Sequence, residues 1–204
     1  MGRGLCCALL FVFSVAATVP VSAGVVLNEF VADPAQDWSP SDGDLLYDSR
    51  DDEWVEIMND GTEPVDITGW RLRDAVSDSS WRYEFSGILG PGEYAVVYGN
   101  ESYAWEEASG YARQGLSLNN GGDTITLVEA GLAVVADQIS YESHEVQDDR
   151  SLGRVPDGGG EWYVFDGLNP MSPSATGITP SPGLPNVGSP VEPVDWGRIK
   201  ALYR

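Results

Sequence analysis

Lysine is almost missing from these 204 residues: Lys200 is the only one, and Lys and Arg together number 11 against 32 Asp and Glu. The resulting formal charge of −21 excludes the basic surface that nucleic-acid binders present, so no nucleic-acid partner is expected. Histidine occurs once, at His144, which rules out a His-rich zinc set. Cysteine occurs only at Cys6 and Cys7, so the body of the chain has neither a disulfide framework nor a thiol nucleophile. No serine lies in a Gly-x-Ser-x-Gly elbow. The triplet Gly158-Gly159-Gly160 leads into Glu161-Trp162, a strand signal and not the helix start that cradles phosphate. The apolar run Leu5–Val15 is too short to span a membrane.

That run belongs instead to a leader. Arg3 supplies a positive start, Leu5–Val15 the apolar stretch and Val21-Ser22-Ala23 a small-residue cleavage site. Residues 1–23 are therefore expected to be a signal peptide, with the mature chain starting at Gly24, carrying no membrane span and residing outside the cell or at its surface. A lipoprotein anchor does not fit, because both cysteines lie at the start of the apolar stretch and not after its core. Their loss with the leader leaves a fold that must hold by core burial alone.

What remains reads as three parts. Residues 24–168 form the body, where Gly, Pro, Asn and Asp turns separate short stretches of alternating apolarity. Glu53–Asn59 places Trp54, Glu56 and Met58 on one face and Val55 and Ile57 on the other. Asn59-Asp60-Gly61 and Pro64 then turn the chain before Val65 and Ile67. Strands are also expected over Trp70–Asp74, Trp81–Phe85, and Ala133–Tyr141, the last paired with Thr124–Glu129 through Ala130-Gly131. Ser102–Ser109 is the best short helix. Residues 169–195 hold seven of the thirteen prolines and read as a linker with little to bury. Residues 196–204 form a basic, aromatic tail in which Trp196, Arg198, Lys200 and Arg204 are candidates for docking.

The stretch Glu53-Trp54-Val55-Glu56-Ile57-Met58-Asn59, followed by Val65-Asp66-Ile67-Thr68-Gly69-Trp70-Arg71-Leu72-Arg73-Asp74, resembles the lamin tail domain family. Further segments follow in the family's order: Val25–Phe30, Trp81–Phe85, Leu89-Gly90-Pro91-Gly92-Glu93-Tyr94, Leu118–Leu127 and Arg150-Ser151-Leu152-Gly153-Arg154. The resemblance implies an all-β, immunoglobulin-like β-sandwich, with Trp54, Trp70 and Leu72 as its structural signature. It implies a binding or structural module and not an enzyme, because fold alone leaves the partner open.

Two chemistries remain to weigh. Eight carboxylates fall between Asp33 and Glu53, and Asp33, Asp37, Asp42, Asp44 and Asp48 are candidate oxygen ligands for calcium. Only Ser41-Asp42-Gly43-Asp44 keeps the spacing of a calcium loop, so an acidic solvated loop is the competing reading. Trp38, Trp105 and Trp162 lie in or beside polar loops and could stack on sugar rings, though packing explains tryptophans more often. The expected role is an exported, non-catalytic module whose partner is a protein or glycan of the cell envelope. The alternatives are a calcium-dependent or carbohydrate-contacting adhesion module, or a secreted hydrolase using paired carboxylates.

Overall fold

The computed structural model describes residues 24–40, 46–74, 80–131 and 134–187. The expected leader, Asp42, Asp44 and the tail with Trp196, Arg198, Lys200 and Arg204 lie outside the described residues.

The chain forms two antiparallel sheets joined by a short ribbon. In the first, β1 (Val25–Val31) lies between β10 (Ser151–Val155) and β2 (Trp54–Asn59), flanked by β11 (Glu161–Phe165) and β7 (Tyr94–Tyr98). In the second, the order is β5 (Tyr83–Glu84), β4 (Arg71–Arg73), β8 (Gly122–Val128) and β9 (Val135–Glu142). The ribbon pairs β3 (Val65–Asp66) with β6 (Ile88–Leu89). The strand pattern favours a sandwich, and this one is of the immunoglobulin-like type that the family resemblance implies. The helix α1 (Gly99–Ser109) starts three residues before the expected Ser102, because Glu101 accepts the Tyr98 N–H at 3.1 Å and so caps the first turn. No helix among the described residues is long and apolar enough to cross a membrane.

Both sheets turn one face into a shared core. Val55 and Ile57 of β2, Leu72 of β4, Ile125 and Leu127 of β8 and Leu152 of β10 meet there, with Trp70 buried among them. Each such side chain contributes about 1.5–3 kcal/mol by leaving water. Gly69 takes a φ of 85°, a conformation glycine adopts without cost, and so brings the chain round into Trp70. Expected strand Trp81–Phe85 is shorter as a strand, yet its pairing continues: Arg82 N–H donates to Leu72 O and Phe85 N–H to Trp70 O, both at 2.8 Å. The Arg82 side chain is buried, and it pairs with Asp74 at 2.9 Å and with Glu106 of α1 at 3.6 Å. These contacts fasten the helix to the open edge at β5.

The first strand does not alternate simply. Leu27 faces Ile57 and Glu29 faces Glu56, so Asn28 is the extra residue of a β-bulge. The bulge lets Leu27 and Phe30 both enter the core while Glu29 turns to the opposite face. On that outer face two rows cross the sheet. One runs Phe165, Ser151, Val31, Trp54, Tyr98, and the other Tyr163, Gly153, Glu29, Glu56, Val96. Trp54, Val31, Phe165, Glu29 and Glu56 are all buried. An outer face of a two-layer sandwich would normally meet water.

Over the Glu29–Glu56 row the cover is the proline-rich stretch, whereas Trp54 packs against Trp38 of the β1–β2 connection. Residues 169–187 contain no helix or strand, but they lie along this face as an extended strap, with Thr176, Ile178 and Asn186 buried. The sequence reading gives this stretch little to bury, since it contains few bulky side chains. Hydrogen bonds to buried acids supply the attachment. Asp166 accepts from the N–H groups of Met171, Ala175, Thr176 and Gly177 at 2.7–3.1 Å and from the Ser174 hydroxyl. Glu29 and Glu56 take the middle of the strap, and Asp157 receives the Asn186 N–H at its end. Gly153 makes the close approach workable, because a methyl there would run into the Phe165 ring and stand 3.2 Å from Asn186 Nδ2.

Candidate functional site at the acidic loop end

Three connections converge where β1 ends and β2 and β10 begin: residues 32–40 with 46–53, the loop from Tyr111 to Gly121, and residues 143–150. Acidic side chains organise all three by accepting backbone N–H groups, which a carboxylate does well because its charge strengthens each bond. Asp52 is fully buried and accepts from Trp38 at 2.7 Å, Ser39 at 2.8 Å and Asp48 at 2.8 Å. Asp149 accepts from Ala35 N–H and Trp38 Nε1, each at 2.8 Å. Asp33 is held by the Asn120 side chain and by Asp148 N–H at 3.3 Å.

The backbone here is unusual. Ser117, Asp148 and Asp149 have φ values of 58°, 37° and 64°, and they are the positive-φ residues other than glycine among the described ones. Such conformations persist where surrounding bonds over-determine them. Beside Ser117 lies a polar cavity of about 260 Å³, lined by Ser49, Arg50, Glu53, Ser117, Leu118, Asn119 and Asn120. Its floor is Glu53, which is buried and accepts the Leu118 N–H at 3.0 Å. Burial pushes the Glu53 carboxyl up to about 8, against the pull of the Leu118 N–H, Arg50 and the Ser117 N–H. Arg50 also lines a second depression with Asp48, Asp51, Tyr103 and Arg113. Burial also raises the Tyr47 phenol, and Asp33, Asp48, Asp148 and Asp149 raise it further, so those four carboxylates share one negative field.

The structure thus brings Asp33 and Asp48 to one end, but as acceptors for N–H groups and an amide. Asp37 lies on the same loop and is half-buried. Among the described residues no group of three or more His, Asp or Glu side chains is gathered to hold a metal ion. Of the core signature, Trp70 and Leu72 sit in the shared core, whereas Trp54 is buried on the outer face against Trp38, ring centres 6.0 Å apart. Arg50, Ser117, Asn119 and Asn120 escape a reading of the sequence, which marks Asn119-Asn120-Gly121 only as a turn.

Comparison with known families settles the class. The model for the Lamin Tail Domain matches residues 18–143. This chain belongs to the lamin tail domain family. The match runs through β9, and β10, β11 and the strap follow it. No curated protein matches the chain. Lamin tail domains are immunoglobulin-like domains of a non-enzymatic family, so the coarse role is that of a structural or binding module.

The tryptophans that suggested sugar stacking are engaged in packing. Trp38 bonds Asp149, Trp105 stacks on Tyr111 with centres 5.2 Å apart, and Trp162 lies in β11 beneath Arg154 at 4.7 Å. His144 is exposed and lies 3.5 Å from Glu142. Ser102, in the first turn of α1, is buried and donates to Arg82 O at 2.6 Å.

Proposed function

We propose that this lamin tail domain protein acts outside the cytoplasm, at the cell surface or beyond it, as a non-catalytic binding module that contacts its partner through the acidic loop end. The leader-like residues 1–23 support export. The observation that carries the choice of surface is the convergence of three carboxylate-braced loops, two of them with strained backbone at Ser117 and at Asp148-Asp149, at the end that holds the Arg50–Glu53 cavity. Braced loops present charge without first paying for their own ordering. The field there is negative around Tyr47, and it suits a protein or glycan partner bearing cationic groups.

The test is capture of envelope components by the purified protein, compared with Asp48→Asn, Asp51→Asn and Asp148→Asn combined. Amide replacements keep an acceptor oxygen and tolerate the backbone, so the fold should survive. Expected is a captured partner whose retention falls with salt and is lost with the triple variant. Equal capture by both proteins moves the contact surface elsewhere. Calcium titration separates an ion-dependent surface: a rise in Tm at millimolar calcium would assign one, and an unchanged Tm assigns the contact to side chains alone.

A further inference from the structure

The outer face of the first sheet contains a hydrogen-bond chain that is complete at every link only when Glu29 carries a proton. Glu29 Oε1 accepts from the Ser151 hydroxyl at 2.6 Å and from Ser181 N–H at 3.2 Å. Glu29 Oε2 lies 3.3 Å from Ser181 Oγ, and Ser181 Oγ lies 2.9 Å from Asn186 Oδ1. The Asn186 amide is oriented by its Nδ2, which donates to Arg154 O at 3.0 Å, so Oδ1 is an acceptor. Ser181 has one hydroxyl proton and two acceptors beside it if Glu29 is ionised. With Glu29 neutral, its O–H donates to Ser181 Oγ and the serine donates onward to Asn186. Every link then holds one proton.

The surroundings favour the same state. Glu29 and Glu56 are cross-strand partners, both buried. Glu56 is held by Asn28 Nδ2 at 2.7 Å and by the strap's Gly183 N–H at 2.6 Å. The charge facing Glu29 is that of Glu56, and the charge facing Glu56 is that of Asp157. From β7, Tyr94 donates to Asp157, and burial holds both the Tyr94 and Tyr98 phenols up at about 12, so they stay neutral. From β10, Arg154 directs its guanidinium to Leu27 O, Gly160 O and Asp137.

We propose that the strap running from Asp166 to Val187 is a latch that opens in base, with the carboxylic acid proton of Glu29 as its trigger and Glu56 as its partner. Ionising Glu29 breaks the relay to Asn186 and sets two carboxylates against each other beneath Ser181 and Gly183. Burial raises Glu29 to about 8 and Glu56 to about 7. For acids raised this way, the closed state binds more protons than the open one. The latch is therefore strongest below the ordinary glutamate value of 4.5 and weakens as pH rises through 7 and 8.

Hydrogen exchange tests it on the full chain, at the N–H groups of Ser181, Gly183 and Asn186, corrected for the intrinsic effect of base. Between pH 6 and pH 9 their protection should fall by at least about tenfold, as proton linkage allows, while Ile125 and Leu127 in β8 hold theirs. Glu29→Gln places an amide donor where the acid O–H was, so its strap should stay protected at pH 9. Constant protection in the parent, or an equal fall in Glu29→Gln, overturns the latch. If Glu29→Gln does not fold, the carboxyl carbon of Glu29 in the parent decides: titration near 8 supports the latch, and titration near 4.5 overturns it.

Discussion

The two faces of the first sheet differ in what holds their cover. Toward the second sheet, β1 and β2 present Val25, Leu27, Phe30, Val55 and Ile57, and the cover is another layer of apolar side chains. Toward the strap they present Glu29 and Glu56, and the cover is attached through these carboxylates. The inner face is stabilised by removal of apolar area from water, which is non-directional and involves no titrating group. The outer face depends on directional bonds to buried acids, each sensitive to geometry and protonation. One sheet therefore carries a permanent interface and a conditional one.

The comparison breaks most visibly at the core. Trp70→Ala should cost about 3–5 kcal/mol, the range for a large aromatic removed from a packed interior. Denaturant unfolding at neutral pH measures it, and a melt within a degree or two of the parent would contradict the core assignment. Asp166→Asn attacks the strap's other clasp and should cost about 1.5–3 kcal/mol, since bonds to a charged acceptor are the strong ones. Burial opposes ionisation of Asp166, but the N–H groups of Gly177, Met171, Thr176 and Ala175 hold its carboxyl well below the usual range. Its contribution is present above the ordinary value of 3.8 and is lost as pH falls toward the lowered one. Parent and variant should thus converge in strong acid, and a gap that persists there would deny the clasp its charge. The start of the strap at Asp166 and its middle at Glu29 and Glu56 consequently weaken in opposite directions of pH. The smallest effect is expected on the strap's outer side: Leu184→Ser, at a residue 63% exposed, should change stability by less than about 0.5 kcal/mol. A larger loss would show that Leu184 is covered in solution.

The sandwich was legible because strand alternation and turn residues are local features, and the family because its signature segments resemble stretches of this chain. Val55 and Ile57 reach the core as their spacing implies, and β8 pairs with β9 around Ala130-Gly131 as expected. The candidate site was legible only in part. An acidic run announces charge, but not that Asp52 would gather Trp38, Ser39 and Asp48, nor that Arg50 and Asn120 would border one cavity. Composition also suggested that the proline-rich stretch had little to bury. It misses a strap whose anchors are acids contributed by other elements.

By itself, the sequence determined the class of fold: period-two apolarity, turn chemistry and the Gly69-Trp70 turn act between near neighbours and admit few alternatives. Only the tertiary structure decided where Glu29 points and what covers it. The bulge at Asn28 turns that carboxyl to the outer face, and Ser181 meets it across 152 positions of chain. A bond of that span depends on where the folded sheet brings two distant segments, and no local pattern encodes that placement.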